Sequence, residues 1–176
     1  MPYVDIDGVR LHYLDVGPRS HRYDDSADPA LVLLHAFPLH SAMWAPQVEA
    51  FSSRRVIVPD LLGFGRSDAP DSLYRYTMLG YADLLAGLLD HLGLDRVVLG
   101  GLSMGGYVAF AFLRAFADRV SALVLAHTRA AADTHIVFER RTDQQDQVAR
   151  IGTTALIEAL LEGLLSAEPQ TSRPRR

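Results

Sequence analysis

Short runs of apolar residues recur along the chain, each about the length of one β-strand. The runs cover residues 30–34, 55–59, 96–99 and 120–126. A continuous apolar run without polar alternation is typical of a strand that is covered on both faces. Stretches with helical periodicity separate the runs. The pattern therefore predicts an α/β fold, with a mostly parallel sheet, right-handed crossovers and helices on both faces.

The clearest helix begins after Thr77, a suitable N-cap residue, and ends at Gly93. Its apolar positions recur at helical spacing, at Tyr81, Leu84, Leu85, Leu88, Leu89 and Leu92. This stripe predicts that one face of the helix is buried. His91 lies off the stripe, and we expect it to be in solvent.

Before the first apolar run, residues 4–14 alternate apolar and polar positions on either side of Asp7-Gly8. Asp-Gly accepts the positive φ angles of a tight turn, so the segment predicts an N-terminal antiparallel hairpin. Residues 17–29 are polar and aperiodic, which predicts a surface loop. We expect His12 and His21, which belong to these two features, to be exposed.

The composition fits one soluble globular domain, with 176 residues, 49% hydrophobic and 22% charged content, and a net charge of −4. There is no cysteine, which excludes disulfides and thiolate metal sites. Because this usage is typical of a reducing compartment, we expect a cytoplasmic protein. Neither an export signal nor a membrane span is predicted. The basic end at residues 173–176 is interpreted as a solvated terminus, and no nucleic-acid partner is expected.

The strongest chemical signal is Gly-Leu-Ser-Met-Gly-Gly at residues 101–106, directly after an apolar run and before a helical stretch. A strand before the serine and a helix after it are the context in which G-x-S-x-G marks a nucleophile on a sharp elbow. Gly101 and Gly105 suit the elbow, because strand and helix approach too closely there for a Cβ atom. The pattern predicts that Ser103 is a catalytic nucleophile.

Two other segments follow strands on the same side of the predicted sheet. They are the turn after Leu34 and the loop 60–68. Because the carboxyl ends of parallel strands meet at one edge of a sheet, we expect these segments and Ser103 to form one rim. No nucleotide, flavin or metal motif occurs, so no cofactor and no metal are predicted.

The three rim segments have a definite order, with His-Ala-Phe-Pro at 35–38, Asp-Leu-Leu-Gly-Phe-Gly-Arg-Ser at 60–67, and then the serine elbow. On these motifs, the chain from residue 3 to about 165 resembles the α/β-hydrolase superfamily. The resemblance is to its small esterase-like branch, which includes 3-oxoadipate enol-lactonases. It implies an α/β-hydrolase fold and a serine hydrolase that acts on a small carboxylic ester or lactone through an acyl-enzyme on Ser103.

The resemblance also implies roles for residues near the serine. The backbone N–H groups of Phe37 and Met104 would hold the oxyanion of the tetrahedral intermediate. His35 would brace the oxyanion loop, and Asp60 would order its own turn through backbone hydrogen bonds. Ala36 departs from the commoner glycine, and its Cβ resists positive φ. Packing of the first helix, rather than lining of the pocket, is favoured for His40, Met43 and Trp44.

In this family the acid and the histidine of the triad follow the serine in the chain. After Ser103 the only histidines are His127 and His135, in or just past the next predicted strand. We therefore expect the acid and the base to lie beyond residue 176, in a fold that is incomplete at its C-terminus. His127, at the active-site end of the sheet, is the alternative base.

This interpretation divides the chain into residues 1–127, the N-terminal part of the hydrolase core, 128–168, the start of a helical cap, and 169–176, a disordered tail. Without the later strands, a sheet edge at 120–126 or 96–99 lacks a neighbour. We expect such an edge to be open to pairing with another copy of the chain.

Two functions from different classes follow from the sequence. The first is a small-ester or lactone hydrolase, severely impaired in this chain because its triad base is missing. The second is a non-catalytic chain that binds a small ligand or a partner protein. A dehalogenase or epoxide hydrolase is disfavoured. Those enzymes resemble this chain in their scaffold, but they have an aspartate at the position of Ser103.

Overall fold

The computed structural model describes residues 2–18, 29–71, 75–152, 154 and 157. The strands are β1 (Tyr3–Ile6), β2 (Val9–Val16), β3 (Ala30–Leu34), β4 (Val56–Pro59), β5 (Val97–Leu102) and β6 (Val120–Ala126). The α-helices are α1 (Ala45–Ala50), α2 (Met78–His91), α3 (Met104–Ala115) and α4 (His135–Ile151). Most of the predicted loop 17–29, including His21, lies outside the described residues, as do most of residues 153–168 and the predicted tail 169–176.

The strands form one sheet in the order β1-β2-β4-β3-β5-β6. β1 and β2 pair antiparallel around a turn in which Asp7 and Gly8 have φ angles of 52° and 76°. β2 also pairs antiparallel with β4, whereas β4, β3, β5 and β6 run parallel to one another. The predicted sheet, mostly parallel with an N-terminal hairpin, is confirmed. The strand order reverses at β3, which has β4 on one side and β5 on the other, and ligands of such sheets bind at this point.

Both faces of the central strands are buried, in two separate apolar clusters. Val32 and Ile57 belong to the cluster that includes the apolar faces of α2 and α3. Their neighbours Leu31 and Val56 belong to the other cluster, together with Trp44. Because alternate side chains point to opposite faces of a strand, covering both faces requires a continuous apolar run. This requirement explains the unbroken runs in the sequence.

In the part of the chain that the structure describes, β6 forms an uncovered edge of the sheet. Within the described residues β6 pairs with β5 alone, and its Val124 and Leu125 are 53% and 44% exposed. The uncovered edge predicted for residues 120–126 is therefore confirmed. The alternative at 96–99 is wrong, because β5 has β3 on one side and β6 on the other.

α2 begins and ends as the sequence predicts. The Thr77 hydroxyl accepts a hydrogen bond from the Gly80 N–H at 3.0 Å, and Gly93 follows the helix with a φ of 64°. The leucines of the predicted stripe are buried up to Leu89, and His91 is exposed. The helical periodicity of the sequence therefore identified the buried face correctly.

The chain divides into two compact units, Met1–Ala130 and Ala131–Arg176. The sheet and α1–α3 belong to the first unit. In the second unit no residue of α4 is buried, and the Arg141 guanidinium pairs with the Asp133 carboxylate at 2.7 Å. In the described part of the chain, no helix combines the length and hydrophobicity needed to cross a bilayer.

Candidate active site

Ser103 lies between the end of β5 and the first residue of α3. Its φ of 51° and ψ of −111° lie outside the regions that a serine ordinarily adopts. Its N–H donates to the Ala126 carbonyl at 3.0 Å, and its carbonyl accepts from the Gly106 N–H at 3.0 Å. The serine is half-buried. The sharp strand-to-helix turn that the motif predicts is present, and the chain holds it in a strained conformation.

Glycines around Ser103 allow this close approach of strand and helix. A Cβ on Gly101 would lie 2.6 Å from the Gly106 nitrogen, and a Cβ on Gly105 would lie 2.7 Å from the carbonyl carbon of Leu34. A Cβ on Gly106 would lie 2.6 Å from the Cβ of Thr128. Contacts this short are repulsive, so side chains at these positions would push α3 away from its neighbours.

The strand register brings the ends of three strands together at one edge of the sheet. Leu34 of β3 pairs with Gly101 of β5, and Leu102 of β5 pairs with Ala126 of β6. The turn after β3, the serine elbow and the end of β6 are therefore adjacent. We call this edge the rim. The loop after β4 joins it through the hydrogen bonds of His35 and Asp60 described below.

Phe37 and Met104, which the resemblance implies as oxyanion donors, both follow strands at the rim. Met104 is the first residue of α3, so its N–H has no partner within the helix. Among the described residues, neither of these two N–H groups donates a hydrogen bond. The Phe37 side chain is 50% exposed and contacts the Phe64 ring edge-to-face, with 5.9 Å between ring centroids. Two backbone donors are thus unpaired at the rim.

His35 is fully buried and bonded at both ring nitrogens. Nε2 accepts a hydrogen bond from the Leu61 N–H at 2.9 Å, so Nδ1 bears the proton and donates to the Ala36 carbonyl at 3.0 Å. Burial lowers the pKa of His35, outweighing the opposite effects of that carbonyl and of the Asp60 charge. The ring is therefore held neutral. His35 braces the turn after β3, as the resemblance implied.

Asp60 is buried and ties its own loop to two other segments. Oδ1 accepts from the Ser41 N–H at 2.7 Å, and Oδ2 accepts from the Arg66 N–H at 3.0 Å and lies 2.9 Å from Nδ1 of His12. Burial raises the pKa of this carboxyl, but hydrogen bonds from Ser41, Arg66 and His12 outweigh that effect and lower the pKa. The prediction that Asp60 orders its loop through backbone hydrogen bonds is confirmed.

His12 is buried, with 1% of its surface exposed, so the expectation that it lies in solvent is wrong. β2 is an internal strand, since it pairs with β4 as well as β1. Residues of β2 such as His12 are therefore covered by neighbouring strands on both sides, whereas in an isolated hairpin one side of β2 would be open to solvent. The His12 N–H also donates to the Ser67 hydroxyl at 3.0 Å, and that hydroxyl donates to the Asp60 carbonyl at 2.6 Å.

The residues just after the first rim turn mostly have structural roles. Trp44 is 8% exposed and packs in the cluster with Leu31, which confirms packing over lining of a pocket. His40 caps the N-terminus of the short 3-10 helix Ser41–Trp44. Met43 is half-buried, and its Sδ accepts a hydrogen bond from the Ala36 N–H at 3.4 Å. Met43 therefore acts on the backbone of the turn itself.

The end of β6 contacts the serine elbow directly. The Thr128 hydroxyl donates to the Ser103 carbonyl at 2.9 Å. His127, which lies between the last residue of β6 and Thr128, has a φ of 43° and an exposed side chain. Within residues 2–18, 29–71 and 75–152, no hydrogen bond joins the Ser103 hydroxyl to a histidine or a carboxylate. The role of His127 as an alternative base stays a prediction. No cluster of three metal-ligating side chains occurs in the same described ranges.

A family model for the alpha/beta hydrolase fold matches residues 29–170. The chain belongs to the α/β-hydrolase fold family. The chain is 38% identical over 135 residues to the putative 2-succinyl-6-hydroxy-2,4-cyclohexadiene-1-carboxylate synthase of Bacillus subtilis. That match covers 77% of the chain and 46% of the relative. Epoxide hydrolases and haloalkane dehalogenases are also among its relatives.

Solved α/β-hydrolase structures are similar over nearly the whole chain. A thermophilic esterase from Thermogutta terrifontis is 39% identical with a TM-score of 0.79, and the match covers 92% of this chain and 58% of that one. The enol-lactonase from Burkholderia xenovorans is 34% identical with a TM-score of 0.78, covering 91% and 58%. The predicted resemblance to the esterase and enol-lactonase branch is confirmed. The chain spans about half the length of the curated relative and somewhat more of these structures.

Sequence reasoning missed two residues of this site. Nothing in the sequence indicated that His12 is buried, because its place in an alternating segment predicted a solvent-facing position. Thr128 had one weak signal, a hydroxyl two residues beyond an apolar run that ends at the rim. Its contact with Ser103 depends on the register of β5 and β6, which the sequence pattern does not specify.

Proposed function

We propose that this α/β hydrolase is a serine hydrolase that cleaves a small carboxylic ester or lactone through an acyl-enzyme on Ser103. The observation that carries the proposal is the strained elbow, with a φ of 51° at Ser103 beside unpaired backbone donors. Strain of this kind persists where the surrounding structure imposes it, and it clusters at active sites. The likeness to an esterase and an enol-lactonase supports the substrate class.

In the proposed reaction, Ser103 Oγ attacks the carbonyl carbon of the substrate and gives its proton to a base. The carbonyl oxygen becomes an oxyanion, which accepts hydrogen bonds from the N–H groups of Phe37 and Met104. The N-terminus of α3 adds a favourable dipole at the same place. The alcohol leaves with a proton from the base. Water then attacks the acyl-enzyme, releasing the acid and restoring Ser103.

The base is a separate part of the proposal. Both ring nitrogens of His35 are bonded, and His12 is buried beside Asp60, so neither is a suitable partner for Ser103. The solved esterase and enol-lactonase are matched over 58% of their length. We propose that the triad acid and histidine of the whole protein correspond to the unmatched part of these relatives. Exogenous imidazole is then a suitable replacement for the histidine in an assay.

The test compares hydrolysis of p-nitrophenyl acetate by the chain and by Ser103→Ala, with and without added imidazole. Subtracting the Ser103→Ala rate removes the reaction of imidazole itself. We expect imidazole to raise the Ser103-dependent rate by about tenfold or more, since a general base contributes about 10²–10⁴-fold when it is well positioned. Mass spectrometry of peptides from the acid-quenched protein should find the acetyl group on Ser103.

Ser52→Ala is the matched control, because Ser52 is exposed in the turn after α1. It is expected to keep the rate of the parent chain under every condition. Equal rates for the parent and Ser103→Ala, together with no acetyl group on Ser103, would contradict the proposal.

A second candidate function is non-catalytic binding of a small ligand or a partner. The observation that favours it is the Ser103 hydroxyl, which has no base bonded to it among the described residues. A ligand that raises the melting temperature equally in the parent and in Ser103→Ala, with no turnover in either, would support this candidate. Epoxide and haloalkane hydrolysis remain disfavoured. Enzymes of those classes resemble this fold but have an aspartate as the nucleophile, whereas the elbow here has a serine.

A further inference from the structure

The end of β6 holds both polar backbone groups of Ser103. The Ser103 N–H donates to the Ala126 carbonyl at 3.0 Å, and the Ser103 carbonyl accepts the Thr128 hydroxyl at 2.9 Å. These two partners are only two residues apart. The first turn of α3 also bonds the Ser103 carbonyl, but Thr128 is the donor that comes from a different element. The elbow is thus clamped from outside its own strand and helix.

The turn that makes this clamp is itself unusual. His127 lies between the two partners and adopts a φ of 43°, a conformation that residues other than glycine rarely take. The left-handed residue lets Ala126 finish its pairing with Leu102 while the side chain of Thr128 turns back toward the elbow. A backbone outlier of this kind points to a conformation that the surrounding contacts impose.

The side chain of Thr128 also contacts α3. A Cβ on Gly106 would lie 2.6 Å from the Cβ of Thr128 and closer still to its Oγ1 and Cγ2. The Thr128 side chain therefore occupies space that is free only because residue 106 is a glycine. Because Thr128 is half-buried and packed on this side, few rotamers are open to it, and its hydroxyl is held at the Ser103 carbonyl.

One rigid peptide group connects this contact to the proposed oxyanion site. The Ser103 carbonyl and the Met104 N–H belong to the same peptide plane, and in a trans peptide they point in opposite directions. Fixing the carbonyl therefore fixes the direction of the N–H. The Thr128 hydroxyl therefore acts together with the Gly106 N–H, which bonds the same carbonyl, to hold the donor on the other side in one direction.

We propose that Thr128 is a positioning residue, whose hydroxyl holds the 103–104 peptide so that the Met104 N–H points at the oxyanion. This inference rests on the proposed function of Ser103 and Met104. Thr128 touches neither the substrate nor the reacting atoms. It affects the reaction only by orienting the peptide between Ser103 and Met104.

The test compares Thr128→Val, which keeps the shape but loses the hydroxyl, with Thr128→Ser, which keeps the hydroxyl. In the imidazole assay we expect Thr128→Val to lower kcat about tenfold with KM unchanged, less than the loss of a whole oxyanion donor. Thr128→Ser is expected to restore kcat to near the parent value. Thr142→Val is the matched control, since its hydroxyl bonds the Phe138 carbonyl in α4 and its loss should leave kcat unchanged.

A second readout does not depend on turnover. In ¹H–¹⁵N NMR spectra of the intact chain, Thr128→Val should shift the Met104 amide resonance and speed the hydrogen exchange of the Ser103 N–H, and Thr128→Ser should leave both near the parent values. Unchanged Met104 and Ser103 amides in Thr128→Val would overturn the positioning role. If these amides respond while the parent and Ser103→Ala hydrolyse ester equally, the proposed function fails and the positioning of the peptide stands.

Discussion

Asp60 concentrates the polar interactions of the rim in one buried carboxylate. Its two oxygens accept hydrogen bonds from the Ser41 N–H and the Arg66 N–H, and Nδ1 of His12 lies 2.9 Å away. A buried charge is costly unless it is paired and hydrogen-bonded, and here each neighbour is a donor. The carboxylate therefore joins β2, the segment after β3 and the loop after β4.

We expect Asp60→Asn to destabilise the fold by about 1–3 kcal/mol, the cost of leaving buried hydrogen-bonding groups without a partner. The amide keeps the volume of the side chain, but its NH₂ group would face donors instead of accepting from them. Urea denaturation at neutral pH measures the free energy of unfolding. Asp68→Asn is the matched control, because the Asp68 side chain is 41% exposed and its pairing with Arg10 is worth at most about 1 kcal/mol. Similar losses in the two variants would contradict this account.

Residues with local signals were predicted better than those that depend on long-range pairing. His35 and Asp60 follow strands in recognisable motifs, and their bracing roles are confirmed by their hydrogen bonds. His12 was placed in solvent because its own segment alternates, and nothing local indicates that β4 would cover it. Thr128 likewise depends on the register between β5 and β6.

At the level of elements, the junction between β5 and α3 determines where the serine lies. α3 starts immediately after Ser103 and packs so closely on β3 that the Leu34 carbonyl group occupies the space where a Cβ of Gly105 would be. Backbone atoms form this contact, so it cannot be relieved by a change of rotamer. The glycine is a requirement of packing between elements.

We expect Gly105→Ala to destabilise the fold by about 3 kcal/mol, the upper part of the range for overpacking, because α3 must move away from β3. Gly93→Ala is the matched control. Gly93 has a φ of 64° and no atom within 4 Å of a Cβ, so alanine there has only the cost of a left-handed residue, about 1–2 kcal/mol. Thermal and urea denaturation of both variants measure the difference. A Gly105→Ala chain as stable as the parent would show that the helix yields without cost, and one only as unstable as Gly93→Ala would contradict the overpacking account.

The apolar runs predicted β3 and β6 with correct bounds, and β4 to within one residue. β5 extends to Leu102, beyond the predicted run, because the sheet pairs Gly100 and Gly101 on both sides although glycine has little intrinsic preference for strands. Pairing partners, and not local propensity, decide where this strand ends. Helix α2 was predicted well because its cap and its apolar stripe are both local.

For the whole molecule, two buried groups at the rim make the fold sensitive to acid. In the unfolded chain His35 takes up a proton near pH 6.5, but burial lowers its pKa in the fold. The unfolded state then binds more protons than the folded state below about pH 6.5, so acid favours unfolding. The pKa of Asp60 is also lowered in the fold, which adds to the loss of stability below about pH 4.

We expect the free energy of unfolding to be constant between about pH 7.5 and 9 and to fall below about pH 6.5, by up to about 1.4 kcal/mol per pH unit for His35. His35→Gln keeps an acceptor for the Leu61 N–H without titrating, so it should be less stable at pH 8 but lose less stability between pH 6.5 and 5. Urea denaturation at pH 8, 6.5 and 5 measures this. Ser52→Ala, at an exposed position without a group that titrates in this range, is the control that should keep the pH dependence of the parent. An unchanged slope in His35→Gln would assign the acid sensitivity to other groups.

The rim hydrogen bonds join residues that are far apart in the chain. His12 and Asp60 are 48 positions apart, His35 and Leu61 are 26 apart, and Thr128 and Ser103 are 25 apart. Contacts of such sequence separation close large loops, whose entropy must be lost before the bonds form, and folds rich in them form slowly. Although the serine motif is a few residues long, we therefore expect the geometry around it to form only after β2 through β6 have paired. In a refolding experiment, ordering of the rim would then report that these five strands have paired.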